Sequence, residues 1–101
     1  MAARPADARF LAAFDALPRG TFAAWQGGRR WIATRQALAG GRAEKLVAEA
    51  PGGVGRISMN LYRLASGARV APCEMPLEMV RAFVLGAEVE RGARARGGRS
   101  A

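Results

Sequence analysis

The stretch GRISMNLYRLASGARVAPCEMPLEMV, Gly55 to Val80, decides how the chain is to be read. Ile57, Met59 and Leu61 alternate with Ser58, Asn60 and Tyr62. That two-residue period is the signature of a strand with one dry face and one wet face. Ser66-Gly67 marks a turn, and ARVAP follows as a short edge strand that closes at Pro72. Pro76 opens a helix over about 76–85, with Glu78 in its first turn and Leu77, Val80, Phe83 and Val84 along its apolar stripe. The same helical reading can be carried past Gly86 towards Glu90.

Working outward towards the N-terminus, glycine pairs divide the chain into strands. Gly27-Gly28 separates TFAAWQ from RRWIATRQAL, and a Gly-Gly pair suits a two-residue hairpin turn. Gly40-Gly41 precedes RAEKLVAEA, and PGGVG separates that segment from the Ile57 strand. Turn signals at such regular spacing predict an antiparallel meander. Ahead of it, a helix is predicted over 6–17. Pro5 suits its first position, Asp7 suits the positive end of its dipole, and Phe10, Leu11, Phe14 and Leu17 make its apolar stripe. Pro18 and Gly20 stop it. The expected fold class is α+β: a single small domain over residues 1–90, with four to five antiparallel strands and an N-terminal and a C-terminal helix packed on one face. The Gly/Arg-rich tail, 91–101, offers nothing to a core and is expected to be disordered.

Composition narrows the function. The 101 residues suit one domain, and half of them are apolar, enough to support folding. A single cysteine, Cys73, excludes an internal disulfide and fits a reducing, cytoplasmic compartment. Asp7, Arg9 and Asp15 interrupt the N-terminal apolar positions, unlike a secretory signal. No run approaches the ~20 apolar residues of a membrane span, so no membrane partner is expected. There is no histidine. Glu88 and Glu90 lie two apart, which turns them away from each other on a helix, and Cys73 stands between Pro72 and Glu74, a setting that does not activate a thiol. GGVGR lacks the Gly-Lys-Ser/Thr ending of a phosphate loop. The expectation is a protein that is not an enzyme and uses no cofactor and no metal.

Charge carries more information. The chain has a formal net charge of +8, and residues 19–69 hold nine cations against only Glu44 and Glu49, a net of +7 within the predicted strands. In RRWIATRQ, Trp31, Ala33 and Arg35 share one face, and Arg30, Ile32, Thr34 and Gln36 the other. On the Ile57 strand the outer face carries Arg56, Ser58, Asn60 and Tyr62. Arginine for phosphates, an amide for hydrogen bonds and a ring for stacking are the elements with which proteins hold single-stranded nucleic acid. The outer-face candidates are therefore Arg30, Arg56, Asn60 and Tyr62, with Arg35 added if the Trp31 face is the exposed one. Arg29, Arg42, Lys45 and Arg63 complete the basic set. The plainer alternative is a solvated sheet face with Trp25 and Trp31 buried under a helix.

The segment NLYRLASGARVAP, Asn60 to Pro72, with its strand, turn glycine and proline ahead of a C-terminal helix, resembles the positive-cofactor-four family of single-stranded-DNA-binding coactivators. The resemblance covers about residues 29–85. It implies a dimer in which two sheets grip DNA while the helices pair at the interface. The competing class is a small protein-interaction adaptor or regulatory accessory protein without nucleic-acid binding. In that reading CEMPLEM, with Met75 and Met79, forms the patch that meets a protein partner.

Overall fold

The computed structural model describes residues 3–53 and 55–90. Its centre is a five-strand antiparallel meander: β2 (Gly20–Gln26), β3 (Arg29–Leu38), β4 (Ala43–Ala50), β5 (Gly55–Leu64) and β6 (Gly67–Pro72). Each strand pairs with the next. Two short strands extend the sheet to seven: β1 (Arg4–Pro5) lies on β6 and β7 (Glu88–Val89) lies on β2, giving the order β1-β6-β5-β4-β3-β2-β7. The count thus exceeds the expected four to five. The additions are two-residue pairings fixed by the neighbouring edge strand, with no periodicity of their own.

Helix α1 (Ala8–Asp15) and helix α2 (Leu77–Gly86) both contribute side chains to one core on one face of the sheet. Pro5 is not the first residue of α1; it pairs in β1 opposite Arg69. Asp7 is the N-cap instead, and its carboxylate accepts the Phe10 N–H at 2.8 Å. That hydrogen bond, opposed by desolvation and helped by Arg81, holds the Asp7 carboxyl below its ordinary range. Arg81 of α2 donates to the other oxygen at 2.8 Å and so ties the two helices together. The C-terminal helix stops at Gly86 rather than continuing, because residues 88–89 pair with Ala24 and Trp25.

The alternation on β5 is as its sequence indicates. Ile57, Met59 and Leu61 are buried against Leu46, Val70 and the helices, while Ser58, Asn60 and Tyr62 point the other way. Gly27 and Gly28 both take positive φ, 63° and 78°, as a tight turn of matching twist requires. Gly55 has a different role. A Cβ there would come within 2.8 Å of the Trp31 ring, so the missing side chain lets the indole lie over the strand. Trp31 in turn meets Phe83 of α2 edge-on, with centroids 5.1 Å apart.

A buried ion network locks α1 onto the sheet. Arg35 and Glu44 lie on the covered face and are 3% and 1% exposed. Arg35 Nε and Nη2 donate to the two Glu44 oxygens at 2.7 and 3.1 Å, a fork-to-carboxylate pair. Arg35 Nη1 donates to the carbonyls of Phe14 and Leu17 at 3.1 and 2.7 Å, and the guanidinium stands 4.6 Å over the Phe14 ring. Carbonyls at a helix C-terminus have no intrahelical donor, and a cation there meets the negative end of the dipole. Arg63 Nη2 closes the network, donating to Glu44 and Asp15 at 2.6 Å each. Burial works against the Glu44 charge, but the hydrogen bonds from Arg35 and Arg63 outweigh it and bring the carboxyl from 4.5 down to about 2.

Candidate nucleic-acid interface on the open sheet face

With both helices on one side, the opposite face of the meander is bare. Register places its side chains in cross-strand rows. Ile32, Glu49 and Arg56 form one; Thr34, Val47 and Ser58 the next; then Gln36, Lys45, Asn60 and Ala71; then Leu38, Ala43, Tyr62 and Arg69. Trp25 and Arg30 pair beyond the first row, at the β2–β3 hairpin. Ile32 and Leu38 are six residues apart on β3, so the two ends of the face lie about 20 Å apart.

The two ends differ in how their charges are satisfied. At the hairpin end, Arg30 Nε and Nη2 donate to the Glu90 carboxylate at 2.9 and 3.1 Å, and Trp25 Nε1 donates to the same carboxylate at 2.6 Å. The Arg30 hydrogen bonds, then that of Trp25, hold the Glu90 carboxyl below its ordinary range. Arg56 donates to Glu49 at 2.9 Å. At the other end, Lys45 and Arg69 make no ion pair among the described residues. Tyr62 lies directly opposite Arg69 and diagonal to Lys45. The Asn60 amide lies 3.5 Å from the Tyr62 hydroxyl, and its carbonyl oxygen is buried without a partner.

The residues expected to bind nucleic acid therefore separate. Lys45, Asn60 and Tyr62 come together on the open face, all partly buried. Arg30 and Arg56 share that face but are neutralised by carboxylates. Arg29 is exposed at the hairpin, and Arg42 is exposed in the β3–β4 turn, where its Nε donates to the Ala39 carbonyl at 3.4 Å. Arg35 is a correction: the Trp31 face is the covered one, so its guanidinium is buried in the core network rather than on the open face. Arg63 is corrected likewise, because it shares that face and is held by Asp15 and Glu44.

Sequence reasoning missed Arg69. The signal was present: Ala68 and Val70 alternate around it, and an inward Val70 turns Arg69 outward. The plainer alternative, with both indoles buried under a helix, holds for Trp31 at 6% exposure and not for Trp25 at 45%. Met75 is partly buried against the core and its sulfur accepts the Ser58 N–H, while Met79 is exposed on α2. The predicted tail, 91–101, lies outside the described residues.

Among the described residues no group of three acidic, histidine or cysteine side chains is placed to hold a metal, and no helix is long and apolar enough to cross a membrane. No family model, curated protein or solved structure matches the chain.

Proposed function

We propose that the protein is a noncatalytic nucleic-acid-binding module that holds single strands on the Tyr62 end of its open sheet face. One observation carries the reading: an aromatic ring on an uncovered sheet, flanked by Lys45 and Arg69, neither of which has a carboxylate to neutralise it among the described residues. Unpaired bases offer rings to stack on Tyr62, and the two cations meet the backbone. A flat sheet face suits a single strand better than a duplex, whose grooves admit a projecting helix or ribbon. The lone Cys73 supports a reducing, cytoplasmic setting.

The test is an anisotropy titration with single- and double-stranded oligonucleotides across a salt series. Affinity for the single strand should fall steeply with salt as counterions are released. Tyr62→Ala should cost about 1–3 kcal/mol of binding. Binding that ignores salt, or a Tyr62→Ala variant that binds like the parent, would move the assignment to the protein-adaptor class. That second reading has its own support, since Trp25, Ile32, Leu38 and Leu64 are all exposed on this face.

A further inference from the structure

We infer that the hairpin end of the open face pairs with the same end of a second copy of this chain. Three features of that end converge on the idea. The first is an apolar projection: Trp25 and Ile32 are 45% and 42% exposed, although they stand on a sheet whose other face is fully packed. The Trp25 indole is held in place by its bond to Glu90, so it is presented in one orientation rather than left free.

The second feature is a receptor beside the projection. A cleft of about 460 Å3 opens along the same face, lined by Ile32, Glu49, Ala50, Pro51, Gly55 and Arg56. Small residues and backbone form much of its floor, and it has room for an indole. Trp25 is on β2 and the cleft reaches from β3 to the β4–β5 turn, so projection and receptor are side by side. A two-fold axis between them seats each Trp25 in the other copy's cleft. An isologous interface requires that one patch carry both halves of the contact, and this patch does.

The third feature is charge. The projection is bordered by Arg30, Glu88 and Glu90, and the cleft by Glu49 and Arg56. Each border carries an internal ion pair, Arg30 with Glu90 and Arg56 with Glu49, so a two-fold copy brings no strong net charge against its like. A basic patch such as the Tyr62 end lacks this property and would repel itself. An aromatic anchor in a small pocket with a charged, wet rim is the usual anatomy of a specific interface. With one indole and one cleft per copy as its anchors, the association is expected in the weak class of interfaces.

This interface leaves the Tyr62 end clear, and it differs from the helix pairing that the resemblance to the positive-cofactor-four family implies. Sedimentation equilibrium of the full chain, without oligonucleotide and over protein concentrations up to roughly 1 mM, tests it. The parent should self-associate to a dimer. Trp25→Ala and Ile32→Glu should each weaken the dimer at least about tenfold. Both positions are exposed, so far-ultraviolet circular dichroism should show them folded. Met79→Glu, on the exposed side of α2, should leave the dimer intact. A parent that stays monomeric throughout overturns the inference and leaves the patch to a different protein. A dimer lost in Met79→Glu but kept in Ile32→Glu overturns it in favour of helix pairing. Neither result bears on oligonucleotide binding, which is measured separately.

Discussion

Glu44 and Lys45 are consecutive residues that face two different solvents. Glu44 points into the covered side of the sheet, itself 1% exposed, where Arg35 and Arg63 donate hydrogen bonds to it. Lys45 points to the open side, opposite Asn60, with no carboxylate to meet it among the described residues. The pair shows that charge in this chain has two uses. On the covered side it is structural, joining α1 to β3, β4 and β5. On the open side, at the Tyr62 end, it is left without an ion pair among the described residues. Formal net charge alone conceals the division, because it counts Arg35 and Lys45 alike.

The largest expected effect tests the covered side. Glu44→Ala removes the fork-to-carboxylate partner of the buried Arg35 guanidinium and leaves it only the Asp15 carboxylate at 3.6 Å; breaking such a pair costs about 3–5 kcal/mol. Urea denaturation of Glu44→Ala should show a loss of that size, whereas Lys45→Ala should stay within about 0.5 kcal/mol of the parent. Equal losses in the two variants would abolish the contrast between the faces.

Acid titration sharpens the same contrast. The folded-state Glu44 carboxyl titrates near 2, below its ordinary 4.5. A carboxyl depressed on folding stabilises the protein fully above the unfolded value and loses that contribution as pH falls through the folded one. The melting temperature should therefore decline between pH 5 and about 2. The decline should be shallower in Glu44→Gln. A parent and variant with parallel profiles would mean that the network is not what responds to acid.

The smallest effect distinguishes cations within the open face. Lys45→Ala and Arg69→Ala should each flatten the salt dependence of oligonucleotide binding by about one unit of slope. Arg56→Ala should change it less, because Glu49 already neutralises that guanidinium. An exposed pair of this kind is worth only about 0–1 kcal/mol to stability. An Arg56→Ala slope change as large as that of Lys45→Ala would place the hairpin end in the nucleic-acid site and count against its role as a dimer surface.

Much of the fold was legible before the structure, for local reasons. The Gly27-Gly28 turn and the alternation of Ile57, Met59 and Leu61 are set by backbone sterics and burial within a few residues of chain. The start of α1 was read two residues early. Pro5 and Asp7 both suit a helix start, and only the docking of Pro5 against Arg69 decides between them. Strands β1 and β7 had no local signal at all. Arg35 is the instructive error. Its alternation with Trp31 and Ala33 placed it correctly, but its charge argued for solvent. What the reading lacked was that Glu44 shares a face with Leu46 and Ala48 and comes up beside Arg35 across the β3–β4 turn. Two opposite charges on two apolar faces are a signal for a buried pair, visible only once the strands are set in register.

The unequal settings of the two indoles also make the molecule its own optical instrument. Trp31 is enclosed, edge-on to Phe83, with its N–H donated to the Gln26 carbonyl. Trp25 stands in water beside a carboxylate. Trp31 therefore emits from an apolar cage that vanishes only on unfolding, and a soluble quencher reaches it poorly. Trp25 lies open to that quencher and reports whatever comes to rest on the β2–β3 hairpin. Replacing either ring by phenylalanine leaves a single tryptophan, excited apart from Tyr62 at the red edge of its absorption, so the integrity of the core and the occupancy of the open face can be followed separately in the same unlabelled chain.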